Sequence, residues 1–253
     1  MISLSEKNFE KYSRQLIMDR IGESGQKKIM NSSICIIGCG GLGTTTAQYL
    51  AMTGIGKMLL IDFDKVEISN LNRQLSYLEK DIGKNKAEVL RRNIKKINPE
   101  SDVSIIKKKI TNKNINSLVK DYKFVIDCSD NFKTRFLINE YCFKKKKILV
   151  SAALQNFDVQ IFSFQAWGNK KNPCYECIFP RSSQLPEELT CDQMGMVATV
   201  AGFGGIMQAI TLVNIIIGCK NSVFREFIIF DSFSRDMKKI KVNKNLMCKI
   251  CKS

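Results

Sequence analysis

The sequence predicts an α/β protein: a mostly parallel sheet wrapped by helices, with an antiparallel extension at its C-terminal end. Three observations carry this. Short apolar runs alternate with helical stretches between residues 32 and 155. A glycine-rich turn joins the first of those runs to the helix that follows. Beyond 155 the alternation breaks, and the chain closes on two neighbouring strands, Phe227–Phe230 and Met237–Val242. With 253 residues, 44% of them hydrophobic and 25% charged, the chain can bury an ample core, which excludes a disordered or collagen-like protein.

Residues 1–31 read as a helical lead, helical over 5–30, with Ser5 as a cap and Phe9, Tyr12, Leu16 and Ile17 at helical spacing. The apolar run Ile34–Ile37 opens a nucleotide-binding core, 32–155. A helix follows the glycine turn to about Met52, where Thr53-Gly54-Ile55-Gly56 closes it. Lys57–Ile61 is the second strand, ending in Asp62-Phe63-Asp64. Gly83–Ile97 is a helix stopped by Asn98-Pro99, Ser101–Lys107 a weak strand and Asn114–Lys120 a short helix. Phe124–Cys128 reads as a buried strand, Asn131–Lys145 as a helix and Ile148–Ala152 as a strand. The remainder, 156–253, holds a strand at Val159–Phe164, a polar loop at Arg181–Glu188 and a long apolar stretch. All of it is read as one domain, 1–253. Within the apolar stretch, Met196–Cys219 runs for 24 residues without a charge, enough to span a bilayer. Gln208, Asn214, Thr199, Thr211 and Gly202-Phe203-Gly204-Gly205 suit a buried or dimer helix better, so no membrane partner is expected.

Lys+Arg 40 against Asp+Glu 24 gives a net charge of +16. Apart from Lys107–Lys109 and Lys144–Lys147 the lysines are scattered, in a chain also rich in Asn and Ile. The charge is therefore read as composition, and a nucleic-acid partner is not expected. Histidine is absent, which excludes imidazole acid–base chemistry, Ser–His triads and imidazole metal sites. The N-terminus is polar and lacks an export signal, so a cytoplasmic, reducing setting is expected, where paired Cys-x-x-Cys reads as metal or redox before disulfide.

The motif Gly38-x-Gly40-x-x-Gly43 follows a strand and opens a helix. Glycines let the backbone approach phosphate, and the helix N-terminus offers free N–H groups and partial positive charge. Asp62, nineteen residues after Gly43, stands where a carboxylate can hold ribose hydroxyls. A glycine turn used only for packing is the alternative. A dinucleotide dehydrogenase is the default for this fingerprint, but no His or Tyr-x-x-x-Lys pair offers its acid–base group. Instead Ser69-Asn70-Leu71-Asn72-Arg73-Gln74, then Lys86, then Asp130-Asn131 come at strand ends that converge on one crevice. Cations for a triphosphate and an Asp130 carboxylate for magnesium suit ATP. Singly, Arg73 and Lys86 could be solvated charges and Asp130 a helix cap. Cys174-x-x-Cys177 and Cys248-x-x-Cys251, seventy residues apart, can give four thiolates to one tetrahedral ion, structural zinc above all. A redox dithiol or unrelated thiols are the alternatives.

From Tyr12-Ser13-Arg14-Gln15 to Cys251, these pieces together resemble the HesA/MoeB/ThiF family of adenylyltransferases related to ubiquitin-activating enzymes. Asp127-Cys128-Ser129-Asp130-Asn131, Cys174-Tyr175-x-Cys177, Thr190-Cys191 and Gln208-Ala209 add to the match. The resemblance implies an enzyme that uses ATP to adenylate the C-terminal Gly-Gly carboxylate of a small ubiquitin-like sulfur carrier protein, for thiamine or molybdopterin synthesis. Gly41 and its neighbours would face the phosphates and Asp62 the ribose. Asn70, Arg73 and Lys86 would stabilise the phosphates, and Asp64, Gln74 and Asn131 would complete the nucleotide set. Asp130 would hold magnesium, the four cysteines zinc. In a homodimer, Arg14 would reach into the neighbour's site. The carrier carboxylate is already a nucleophile, so no general base is needed, in keeping with a histidine-free chain. Cys191 would either take part in the later sulfur chemistry or be dispensable; its acidic neighbours Glu187, Glu188 and Asp192 would raise a thiol pKa. The sequence departs from the family in lacking a proline soon after Cys191 and in placing Cys39 in the phosphate loop. No rhodanese-like domain follows Cys251, so a separate sulfur donor protein is expected. Adenylation of another carboxylate, such as one on a modified tRNA, and a non-enzymatic zinc-containing nucleotide-binding regulator are the alternatives.

Overall fold

The computed structural model describes residues 4–181, 195–218 and 221–252. Eight strands form one sheet in the order β3-β2-β1-β4-β5-β6-β7-β8. They are β1 (Ser33–Ile37), β2 (Lys57–Ile61), β3 (Asp102–Ile106), β4 (Phe124–Asp127), β5 (Ile148–Gln155), β6 (Asp158–Phe164), β7 (Glu226–Asp231) and β8 (Asp236–Lys241). The first five run parallel, and β6 to β8 continue the sheet antiparallel. The chain builds outward from β1 to β3, then returns to place β4 on the other side of β1. That reversal opens a crevice at the carboxyl ends of β1 and β4, where ligands bind in such sheets.

The central strands are apolar on both faces because helices cover both. On one side α4 (Gly41–Thr53), α5 (Lys86–Ile97) and α9 (Ala198–Ile217) bury Ile34, Ile36, Met58, Leu60, Ile126 and Val150. On the other, α6 (Ile115–Val119) and α7 (Phe132–Lys144) cover Cys35, Ile37, Leu59, Val125 and Leu149. Asn85 caps α5, its side chain accepting from Glu88 N, and Val89, Leu90 and Ile94 form the buried stripe. Helix α5 thus starts three residues later than expected, because Gly83 (φ +85°) turns the chain before it.

Helix α9 is long and apolar enough to cross a membrane by length and composition. Here it packs on α4, β5 and β6, with Gly205 against Thr45. Its amide Gln208 is fully buried and satisfied: Nε2 donates to Asp127 O at 2.9 Å, and Oε1 accepts from Cys128 Sγ at 3.2 Å. The expectation for the lead needs correction. Residues 5–30 are three helices, α1 (Glu6–Lys11), α2 (Ser13–Leu16) and α3 (Gly22–Met30), broken at Tyr12 and at Gly22, whose φ is +51°. Strand β5 runs three residues past Ala152, because its antiparallel partner β6 continues the ladder to Gln155↔Asp158. Before the second half closes, α8 (Tyr175–Ile178) makes one helical turn.

Candidate nucleotide crevice and metal centre

The glycine turn meets two steric demands. Gly38 has φ +95°, and a Cβ there would lie 2.5 Å from Cys128 O; one on Gly43 would lie 2.0 Å from Gly38 O. Only hydrogen fits either place. Gly40 then caps α4, whose first N–H groups face the crevice. The loop is clasped from behind by Asp62: Oδ2 accepts from Cys39 N at 2.6 Å and Oδ1 from Asp64 N at 2.8 Å. Burial pushes the Asp62 carboxyl above its usual range, while those two N–H donors and Lys86 favour its charged form. Each oxygen keeps a lone pair for a further donor such as a hydroxyl. A second clasp was not foreseen: the Tyr77 hydroxyl lies 2.6 Å from Cys39 O and 3.2 Å from Lys86 O, tying the loop to α5.

Gly38, Gly40, Gly41, Asp62, Asp64, Arg73, Gln74, Lys86, Asp130 and Asn131 all line one crevice. Lys86 is buried, with Nζ 3.6 Å from Asp64 Oδ2. Gln74 is buried too, and its Oε1 has no hydrogen-bond partner among the described residues. An orphan acceptor facing a crevice fits an incoming donor. Arg73 folds over Ser69 O at 2.7 Å and Asn72 Oδ1 at 3.0 Å. Asn131, not Asp130, caps α7, accepting from Thr134 N at 2.9 Å. Asp130 is therefore left exposed at the crevice, touched by Asn131 Nδ2 at 3.0 Å.

Below Asp130 lies a buried network. Asp127 Oδ1 accepts from Ser129 N at 3.0 Å and Ser129 Oγ at 2.6 Å; Oδ2 accepts from Ser151 Oγ at 2.9 Å and lies 3.4 Å from Arg135 Nη1. Arg135 also donates to Ser129 O and, at 2.8 Å, to Ala152 O. Ser129 is gripped at three atoms, which fixes the loop that carries Asp130.

Three expected site residues stand outside the crevice lining. Gly43 supports the turn sterically. Asn70 is buried and uses Oδ1 to accept from Glu67 N at 3.2 Å, so it shapes the loop before Arg73. Arg14 is exposed on α2. Cys191, with Glu187, Glu188 and Asp192, lies outside the described residues. Phe63, Lys108, Lys109, Ile110, Thr134, Leu154 and Met196 are among the further lining residues that the sequence did not single out as site residues. Position after a strand end was the available signal for Phe63, Lys108 and Lys109; Leu154 and Met196 carried none.

The Cys-x-x-Cys pairs converge. Cys174, Cys177, Cys248 and Cys251 place their sulfurs within 4.8 Å of one another, an arrangement that could hold a metal ion. The separations are 3.9 Å for Cys174–Cys177, 3.6 Å for Cys174–Cys248 and 3.4 Å for Cys177–Cys251. A tetrahedron with metal–sulfur bonds of about 2.3 Å has edges of about 3.8 Å. Hydrogen bonding from Cys174 and Cys251 holds the Cys177 thiol well below its usual range.

The sequence matches the ThiF family over residues 12–250. It is 34% identical over 242 residues to the probable molybdopterin-synthase adenylyltransferase of Gracilaria tenuistipitata var. liui, covering 95% of this chain and 66% of that protein. It is 37% identical over 250 residues to an adenylyltransferase and sulfurtransferase of Drosophila yakuba, covering 98% of this chain and 54% of that one. The sulfur carrier protein adenylyltransferase of Thermus thermophilus is 29% identical, with 98% and 92% covered. The chain thus spans about two thirds or less of the first two relatives. Among solved structures, E. coli MccB superposes with a TM-score of 0.84 at 25% identity, covering 98% of this chain and 75% of that one.

Proposed function

Since the chain belongs to the ThiF family, we propose that it is an ATP-dependent adenylyltransferase acting on the C-terminal carboxylate of a small ubiquitin-like sulfur carrier. The observation that carries this reading is the single crevice that joins the glycine loop, Lys86, Arg73 and the exposed Asp130. A phosphate chain would lie on the loop N–H groups at the start of α4, with Lys86 and Arg73 offsetting its charge. Gln74 Oε1 would receive a hydroxyl or amine donor of the nucleotide, and Asp62 or Asp64 the ribose. Asp130 would hold the magnesium ion, which supplies charge neutralisation on the triphosphate. The donor set suits it: a hard carboxylate oxygen at the edge of a phosphate site, not a thiol.

In the reaction a carrier carboxylate oxygen bonds to the α-phosphorus, the bond from that phosphorus to the bridging oxygen breaks, and pyrophosphate leaves. No proton has to be removed from the nucleophile. The chain's residues therefore orient and neutralise, and need no general base. The nucleotide's α-phosphate would stay on the loop while Lys86 follows the departing charge. We assign zinc to the four-thiolate centre in a structural role, since four sulfurs leave no open position for chemistry. We also assign Arg14 to the site of a second protomer: it is exposed and does not line its own crevice. The sulfur donor is read as a separate protein.

The test is carrier-dependent ATP–pyrophosphate exchange. Asp130→Ala is expected to abolish it while the far-UV spectrum and melting curve stay as in the parent. Exchange within about threefold of the parent, only ~0.7 kcal/mol of barrier, would remove Asp130 from the reaction.

A further inference from the structure

Lysines from four separate stretches of the sequence, one of them the run Lys144–Lys147, are gathered by the fold at the end of the sheet opposite the crevice. The parallel strands begin side by side there: Ser33 pairs with Lys57, Ile34 with Phe124, and Phe124 with Ile148. Strand β6 runs the other way, Leu149 pairing with Phe164, so the turn after it reaches the same rim. Lys57 opens β2, Lys123 precedes β4, Lys145 and Lys146 precede β5, and Lys170 and Lys171 lie in the turn after β6; all six are exposed. Hydrogen bonds hold the segments together: Ile148 N donates to Lys123 O at 3.1 Å, and the Trp167 indole Nε1 to Lys147 O at 2.9 Å. From β2 through β1, β4 and β5 to β6 is four strand spacings, roughly 19 Å. None of these six lysines has an ion pair among the described residues, and the acids beside them are Asp121 and Asp102, the strand partner of Lys57.

From this geometry we infer that the rim is a docking surface for the phosphate backbone of a double-stranded nucleic acid. The charge alone does not choose that partner; what is missing from the rim does. Protein partners need an apolar centre to their interface, and the exposed large apolar side chains lie elsewhere, at Phe157, Phe233, Met237 and Leu246 among others. Single strands are held by aromatic platforms; Tyr122 is buried and Trp167 is half-buried with its N–H engaged. A row of ammonium groups without ion pairs, about 19 Å long, fits backbone phosphates read without base contacts; Lys57 and Lys123 rest over the Tyr122 and Phe124 rings, which leaves their charge uncompensated. The row lies at the far end of the strands from the nucleotide crevice, so both can be filled at once.

The experiment is fluorescence anisotropy with labelled 20-base-pair RNA and DNA duplexes, from 50 to 200 mM salt. One variant combines Lys145→Glu, Lys146→Glu, Lys170→Glu and Lys171→Glu. A control makes the same charge change on the edge strand and just beyond it, with Lys238→Glu, Lys239→Glu, Lys241→Glu and Lys244→Glu. The parent is expected to bind saturably at 100 mM salt. The rim variant should lose at least thirtyfold, with its log–log salt slope shallower by roughly 3 to 4, about 0.9 per phosphate contact. The control should lose less than threefold. The RNA and DNA arms tell which duplex the row fits, and loss in either arm supports the inference. Melting temperature and metal content establish that both variants are folded. Equal losses in the two variants would reduce the binding to net charge and overturn the inference. So would an absence of saturable binding, or competition by an acidic polypeptide as effective as that by duplex.

Discussion

Arg135→Met removes the guanidinium from the network under the loop that carries Asp130. Asp127 is 1% exposed and Arg135 4%, so the substitution strands a buried carboxylate. It also leaves Ser129 O and Ala152 O without the donor that now serves them. Breaking a buried pair from one side costs about 3–5 kcal/mol, and orphaned carbonyls add to it less than additively, at about 1–3 kcal/mol each in isolation. Against a total stability of about 5–15 kcal/mol, the variant should fold but unfold at much lower urea. Urea denaturation at 15 °C, with the m value checked against the parent, is the assay. Adding Asp127→Asn removes the stranded charge, so the double variant should be less destabilised than the sum of the singles, by about 1–3 kcal/mol. Exchange activity per folded molecule should fall at least tenfold, because Ser129 no longer fixes Asp130. A cost under about 1 kcal/mol for Arg135→Met, or strict additivity in the cycle, would show that the network does not bear the loop.

Arg14→Ala and Asp130→Ala should each be nearly inactive, and a mixture given time to exchange subunits should regain part of the activity, since one hybrid site is complete; no recovery after proven exchange would place Arg14 in its own protomer's reaction or in none. Protein purified without chelator should hold one zinc per chain by elemental analysis, and Cys248→Ser should lose the metal and melt lower while the surviving folded fraction keeps most of its exchange activity. Cys191→Ala should leave pyrophosphate exchange within about twofold of the parent, because adenylation needs no thiol; whether thiocarboxylate then forms with a sulfur donor separates a catalytic thiol from a dispensable one.

The parallel core was legible because buried strands announce themselves as apolar runs: Lys57–Ile61 has the bounds read from the sequence, and Phe124–Asp127 differs by one residue. The crevice was legible for the same reason, since polar residues just past such runs share one end of the sheet. What stayed hidden depended on three-dimensional partners. The family resemblance implied Asn70 as a phosphate ligand; in the fold its side-chain oxygen accepts from Glu67 N within the local turn. Tyr77 carried no signal in the sequence, since only the fold brings its hydroxyl to Cys39 O. The lead looked like one helix because its apolar spacing is helical, but the period cannot reveal that Tyr12 leaves the helix to bury its ring with Asn98.

The packing of α9 on the phosphate-loop helix bears on the order in which the molecule can assemble. Thr46 Oγ1 lies 3.1 Å from Gly205 O, a contact across 159 positions of chain, and Leu42, Ala47 and Leu50 belong to the same buried cluster as Val200, Ala209 and Leu212. During synthesis the first five strands emerge while one flank of α4 has nothing to lie against. Loop closure over that distance must come before the contact rewards it, which slows the final step. A nascent chain stopped near residue 155 should therefore remain a chaperone client, sticky along α4 and unable to hold nucleotide, until the apolar helix arrives and seals it.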